Sequence, residues 1–237
     1  MSQPSVPTGT GAPVLEVLDV YKSYQRGDQE VRALRGVTLR VSEGELVAVV
    51  GPSGCGKSTL LHVCGAMDRP SRGEVRFRDR DLGSLDDDAL TKLRRQSVGF
   101  VFQSFNLLPT LTVAQNIGLP LLLDGQLEGD AMRVAATMAE RVGLSSRLEH
   151  LPQQLSGGEA QRAAIARAVI HQPAVLMADE PTGNLDSENG IRVLELLAAL
   201  NRESNTSIVI ATHDQYVAAR MGRVVHMQDG QIVDSSP

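Results

Sequence analysis

The stretch "GPSGCGKST", Gly51 to Thr59, is spaced to hold phosphate. Gly51, four residues, then Gly56, Lys57 and Ser58 is a pattern in which consecutive backbone N–H groups curl around phosphate oxygens at the positive end of a helix. Lys57 then reaches the β- and γ-phosphates, and the Ser58 hydroxyl is a ligand for Mg²⁺. Pro52, Ser53, Gly54 and Thr59 complete the cradle. Cys55, inside it, reads as a small neutral loop residue or as a redox-sensitive thiol.

A phosphate loop binds nucleotide without saying what is done with it. "AVLMADE" adds Asp179 at the end of an apolar run, where a carboxylate holds Mg²⁺ through water, and Glu180, placed to polarise an attacking water. The competing reading is a pair of acids capping the turn before Pro181. His213, ending "SIVIATH", is a core-edge histidine or a γ-phosphate contact, and its place at a strand's carboxyl end favours the second. Gln103, closing "VGFVFQ", is an amide able to ligate Mg²⁺ or sense the attacking water. Tyr24 stacks on adenine or packs against a small sheet, and its type permits either.

"LSGGEAQRAAIARA", Leu155 to Ala168, is a second glycine loop at a second helix start. Ser156 and Glu159 are spaced as a capping box, which is its structural explanation. A capping box does not need Gly157 and Gly158, and each glycine in a first helical turn costs up to about 1 kcal/mol against alanine. A hydroxyl, exposed N–H groups and a helix N-terminus together make another anion site. With one nucleotide apparatus in the chain, that site suits a phosphate held by another copy, or the loop folds back on its own pocket.

The elements that must position these residues can be read from periodicity. "VTLRV" (Val37 to Val41) alternates like a half-buried strand. "ELVAVVG", "AVLMADE" and "SIVIATHD" are continuously apolar, as strands buried on both faces are. Helical patterns between them predict a parallel α/β sheet. "DAMRVAATMAERVGL" (Asp130 to Leu144) gathers Met132, Ala135, Met138, Ala139 and Val142 on one helical face, with Gly143 at its end. It belongs to a helical insert, about residues 104–170, between the strand ending near Gln103 and the strand at Ala174. Asp229-Gly230 between two apolar runs predicts a hairpin.

The chain has 237 residues, 42% of them hydrophobic, enough for one substantial core or two small lobes. A net charge of −5 argues against a nucleic-acid surface. "KLRRQ" (Lys92 to Gln96) reads as a solvated helix face or a partner contact. No apolar run approaches the roughly 18 residues that cross a membrane, and the Pro/Gly-rich start, residues 1–13, reads as a disordered tail without a signal peptide. Two cysteines without Cys/His companions predict neither a metal site nor a disulfide, and a cytoplasmic protein.

Taken in order, Tyr24, "GPSGCGKST", Gln103, "LSGGEAQR", "LMADEPTGNLD" and "ATHD" resemble the ATP-binding subunit of ABC transporters, from about Val14 to Val233. The resemblance implies a P-loop NTPase parallel-sheet core with a small antiparallel β subdomain and a helical insert, all in one domain over 14–237. It implies ATP and Mg²⁺ as ligands. It also implies that the Ser156-Gly157-Gly158 loop closes over the γ-phosphate of an opposite subunit in a head-to-tail dimer. Asp186, within "LMADEPTGNLD", joins the nucleotide-contacting residues on the same ground. Glu159 stands where the family usually has Gln. "DEPTGNLDS" and "FQSFNLLPTLTVAQN" look most like the subgroup serving macrolide exporters, lipoprotein-release complexes and the cell-division pair. An ABC permease partner and a peripheral place at the cytoplasmic face of the membrane follow from the resemblance. The alternatives are a soluble ABC ATPase working on ribosomes or nucleic acid, for which the usual second cassette or long insertion is missing, and a regulatory binder without turnover, against which Glu180 and His213 speak.

Overall fold

A computed structural model describes residues 11–236. The expected tail over 1–13 lies largely outside the described residues, and Pro13 opens the first strand.

Two sheets share the chain. The smaller is antiparallel, in the order β2 (Gln29–Ser42), β1 (Pro13–Arg26), β4 (Arg72–Phe77), β5 (Arg80–Asp81). The larger has the order β10 (Gln231–Ser236), β9 (Arg223–Gln228), β3 (Leu46–Val50), β8 (Ser207–Thr212), β7 (Val175–Asp179), β6 (Val98–Val101). Its strands from β9 to β6 run parallel, and β10 turns back on β9.

The parallel core follows from its composition. β3, β7 and β8 are apolar runs buried on both faces, so each needs a helical layer above and below. Val175 and Met177 of β7 and Val209 and Ala211 of β8 enter a core with Leu60 and Leu61 of α1 (Lys57–Cys64). The alternate residues Leu176, Ala178, Ile208 and Ile210 enter another with Ala163, Ile165 and Val169 of α5 (Gly157–Val169). Because successive strand residues face opposite sides, the sheet lies between α1 and α5. Each buried Val, Leu, Ile or Met among them contributes about 1.5–3 kcal/mol, and each alanine less.

Between β6 and β7 the chain forms α3 (Val113–Leu123), α4 (Glu128–Arg141) and α5. α4 buries Ala131, Ala135, Met138 and Ala139, and the chain turns at Gly143 with φ 69°. α2 (Asp87–Ser97) is capped by Asp86 and carries "KLRRQ". Arg94 of that cluster is tied to Ala66 O at 2.9 Å, while Lys92 and Arg95 are exposed. α6 (Ser187–Ser204) and the short α7 (Gln215–Ala218) complete the layers.

The strand expected at Val37 to Val41 is the buried half of a longer β2, whose first residues are exposed and carry no alternating signal. The β9–β10 hairpin turns at Asp229 (φ 48°) and Gly230 (φ 79°), both left-handed as a two-residue turn requires.

Candidate functional site

The carboxyl ends of β3, β8, β7 and β6 point the same way, and the chemistry-bearing side chains sit just beyond them. β3 runs into the phosphate loop. Gly54 (φ 80°) and Gly56 (φ 105°) take left-handed conformations, which turns the loop into the start of α1. A Cβ on Gly51 would collide with Met227 O, and one on Gly56 with Ala33 O. Cys55 is buried beneath Gly51, and its carbonyl accepts the Gly230 N–H at 3.0 Å. The hairpin tip therefore braces the loop from below. Lys57 is 5% exposed, and its ammonium donates to Gly51 O at 2.9 Å and Pro52 O at 3.0 Å. Pro52, Ser53, Gly54 and Ser58 are exposed on the rim, with Thr59 half-buried.

Asp179 ends β7, and Glu180 follows in a left-handed conformation, φ 46°. That conformation costs a residue with a Cβ about 1–3 kcal/mol and recurs at active sites. The Glu180 N–H donates to Ala211 O at 2.9 Å, and its carbonyl accepts from Gly183 N at 3.0 Å, which pins the turn. Beyond β8, His213 brings Nδ1 to 3.0 Å from Glu180 Oε1. Beyond β6, Gln103 joins them. A Cβ built on Gly183 would lie 3.2 Å from Gln103 Nε2 and 3.2 Å from Glu180 Oε2, so the two side chains converge over Gly183. Asn184 Nδ2 donates to Gln103 O at 2.8 Å and holds that strand end.

Among the described residues no hydrogen bond or ion pair engages the Asp179 carboxylate, the Ser58 hydroxyl or the Gln103 amide. No cluster of His, Cys, Asp and Glu there is arranged to hold a metal by itself. Uncommitted oxygen ligands of this kind fit Mg²⁺, which takes one or two protein oxygens and fills its sphere with phosphate and water.

Tyr24 lies on β1, 39% exposed. Its hydroxyl donates to Asp68 Oδ2 at 2.9 Å and also bonds Thr59. Burial, then the bond to Asp68, raises its pKa. Burial alone would raise the Asp68 carboxyl, but hydrogen bonds from Lys22 and Tyr24 carry it below its ordinary range. Lys22 Nζ lies 4.9 Å from the Tyr24 ring centre, and that ring is presented beside the phosphate-loop helix. Nothing in the spacing pointed to Asp68.

The second glycine loop forms the capping box. Ser156 Oγ accepts from Glu159 N at 3.3 Å and donates to Glu159 Oε2 at 2.9 Å, which also accepts the Ser156 N–H at 2.8 Å. Glu159 Oε1 takes Arg147 Nε at 2.8 Å. The Ser156 N–H, then Arg147, hold the Glu159 carboxyl down at about 2. Ser156 and Gly157 are exposed and Gly158 is buried against Asn189 of α6. Asp186 gives both carboxylate oxygens to Asn189, at 2.8 and 2.7 Å, and caps α6. The structure thus groups the phosphate loop with Glu180, His213, Gln103 and Asp179 around the strand ends, and sets Ser156 to Glu159 at the start of a helix on the other face of the sheet.

An ABC transporter family model matches residues 34–183. The chain is 48% identical over 220 residues to the lipoprotein-releasing system ATP-binding protein LolD of Geobacter metallireducens, covering 93% of this chain and 98% of that protein. It is also 48% identical over 221 residues to the macrolide export ATP-binding/permease protein MacB of Chlorobium luteolum, but spans only 33% of that protein's length. Among solved structures, a dimeric ATP-binding cassette in a post-hydrolysis state, bound to ADP and Pi, superposes with a TM-score of 0.88 at 40% identity, covering 94% of this chain and 97% of that one.

Proposed function

The chain belongs to the ABC transporter family as an ATP-hydrolysing, nucleotide-binding subunit, and from that premise we propose that two copies clasp ATP head to tail and drive a membrane permease of the lipoprotein-release or macrolide-export type. The convergence of Glu180, His213 and Gln103 beside the phosphate loop carries this reading.

In it, the Gly51–Thr59 loop cradles the phosphates and Tyr24 meets the base. Lys57 exchanges its bonds to Gly51 O and Pro52 O for phosphate oxygens. Glu180 polarises the attacking water and takes up its proton. His213, already beside Glu180 Oε1, keeps that carboxylate turned to the water. Ser58 and Gln103, with Asp179 acting through water, would hold Mg²⁺, which would supply positive charge to offset that on the phosphates.

Ser156 and the N–H groups of Gly157 and Gly158 close the site of the second copy. Support comes from their placement: α5 packs on the sheet face opposite α1, which disfavours a loop folding back on its own pocket. Dimeric solved cassettes point the same way. Among the described residues no helix is long and apolar enough to cross a membrane. In the proposed complex the permease supplies the membrane-spanning part, and this chain works on it from the cytoplasmic face. An open, mostly apolar groove of 410 Å³, lined by Phe100, Phe102, Pro120, Leu123 and His171, suits a cytoplasmic segment of that permease. Its wall includes the residue next to Gln103, so a seated segment would press on the Mg²⁺ side of the site.

The test uses Glu180→Gln protein in light scattering. It should be monomeric alone and with ADP, and dimeric with ATP and Mg²⁺. A monomer in saturating ATP and Mg²⁺ would overturn the head-to-tail reading.

A further inference from the structure

Late in α5 the half-buried Arg167 guanidinium turns toward the loop after Gln103, with no ion pair to a carboxylate among the described residues. Its Nη1 donates to Asn106 O at 2.6 Å and its Nη2 to Phe105 O at 3.1 Å. Burial lowers its pKa. Partly desolvating a guanidinium for two neutral carbonyls is not needed to stabilise a helix, which an apolar side chain of similar volume would serve as well.

What the arginine secures is a strained turn. Phe105 and Asn106 take consecutive left-handed φ values of 61° and 51°, which brings two carbonyls around one side chain. The Phe105 ring then reaches the start of the same helix. A Cβ built on Gly157 would lie 3.9 Å from Phe105 Cζ and 3.5 Å from Leu185 Cδ2. Upstream, Gln103 O is held at 2.8 Å by Asn184, from the segment that follows Glu180. The loop after Gln103 is thus fastened at one end beside the hydrolytic acid and at the other to the helix that presents Ser156.

Resting on the head-to-tail reading above, we infer that Arg167 is a positioning residue that holds Phe105 against Gly157, so that the Ser156 loop keeps the attitude needed to grip the second copy's phosphate. Arg167 also lines the groove assigned to the permease, so a segment seated there acts on the same turn.

The experiment compares Arg167→Met, Arg167→Lys and Phe105→Leu, each combined with Glu180→Gln. Three quantities are read: ATP affinity of the monomer, thermal midpoint, and the ATP concentration for half-maximal dimerisation. Lysine keeps the charge but not the two-pronged grip. All three variants should raise the half-maximal ATP concentration about tenfold or more, which for the two Arg167 variants is the scale of losing charge-assisted hydrogen bonds. Monomer affinity should stay near that of the parent, and Arg167→Met should melt no lower. The pair Arg167→Met with Phe105→Leu should be no worse than either alone, because both break one link. Unchanged dimerisation in Arg167→Met overturns the inference, and additive losses overturn the route through Phe105. If Arg167→Met fails to fold, Phe105→Leu decides alone, and parent-like dimerisation there overturns it. A parent that stays monomeric removes the head-to-tail reading and this inference with it.

Discussion

Gly158 is packed so tightly against Asn189 that a Cβ at position 158 would collide with the Asn189 side-chain oxygen. Asn189 cannot swing aside freely, because Asp186 holds its backbone N–H and its amide at 2.8 and 2.7 Å. The glycine therefore has a reason within one chain, independent of any phosphate. Gly158→Ala should destabilise the monomer by about 1–3 kcal/mol, the usual cost of overpacking. A melting curve without nucleotide checks this, and Asn189→Ala in the same chain should recover part of the loss. A parent-like midpoint for Gly158→Ala would mean the contact is loose.

Gly157 separates the two roles better. It is exposed, and a Cβ there would meet Leu185 at 3.5 Å, ordinary contact. Gly157→Asp puts a negative charge in the first turn of α5, where the helix dipole favours it by about 0.3–1 kcal/mol. The monomer should melt at or above the parent temperature and bind ATP normally. ATP-driven dimerisation and hydrolysis should fail, since the carboxylate repels an incoming phosphate. Sedimentation with ATP and Mg²⁺ in a Glu180→Gln background reads the result. A full dimer there would remove Gly157 from the shared site.

The legible parts of this protein are those where one residue type answers one physical demand. β3, β7 and β8 could be read because strands buried on both faces must be apolar throughout, and the Asp229-Gly230 hairpin because its turn needs two left-handed residues. β1 and most of β2 could not be outlined. They form a long ribbon whose register shifts between Val17 and Tyr21 break the period on which a strand is recognised. The supporting residues were hidden for another reason. Asp68, Asn184, Asn189 and Arg167 act through contacts to partners far away in sequence, and no spacing encodes such a pairing.

Lys57 has a structural task beside its proposed one. Its buried ammonium donates to Gly51 O and Pro52 O, so it closes the loop in addition to the proposed role of offering charge to phosphate. Lys57→Ala should weaken ATP binding by about tenfold or more, from the loss of charge-assisted bonds. It should also lower the nucleotide-free melting point, which a residue serving phosphate alone would leave unmoved. Nucleotide titration and a melting curve are the two measurements, and unchanged affinity would contradict the assignment.

Acid should loosen the second glycine loop. The Glu159 carboxyl is held at about 2, against an ordinary 4.5, by the Ser156 N–H and then by Arg147. A carboxyl depressed by folding contributes stability that is full above the ordinary value and is lost as pH falls toward the folded one. The melting temperature should therefore drop between about pH 5 and pH 2. Glu159→Gln keeps the shape and removes the titration, so its curve should be shallower over that interval. Identical slopes would show that the capping box does not contribute.

At the strand ends, Glu180 sits in a left-handed conformation that its backbone must be held in, and His213 Nδ1 lies 3.0 Å from its Oε1. Glu180→Gln preserves size and hydrogen-bonding reach but cannot accept a proton from water. ATP binding should survive while hydrolysis falls by about 100-fold or more, the range that a general base supplies. His213→Ala should leave the carboxylate in place but unrestrained, lowering hydrolysis by about tenfold or more with ATP affinity little changed. If His213 acts by orienting Glu180, then His213→Ala added to Glu180→Gln should cost nothing further. Phosphate release under single-turnover conditions measures all three proteins. A Glu180→Gln rate within a few-fold of the parent would take the hydrolytic role away from this carboxylate, and an additional loss in the double variant would give His213 a separate task on the phosphate itself.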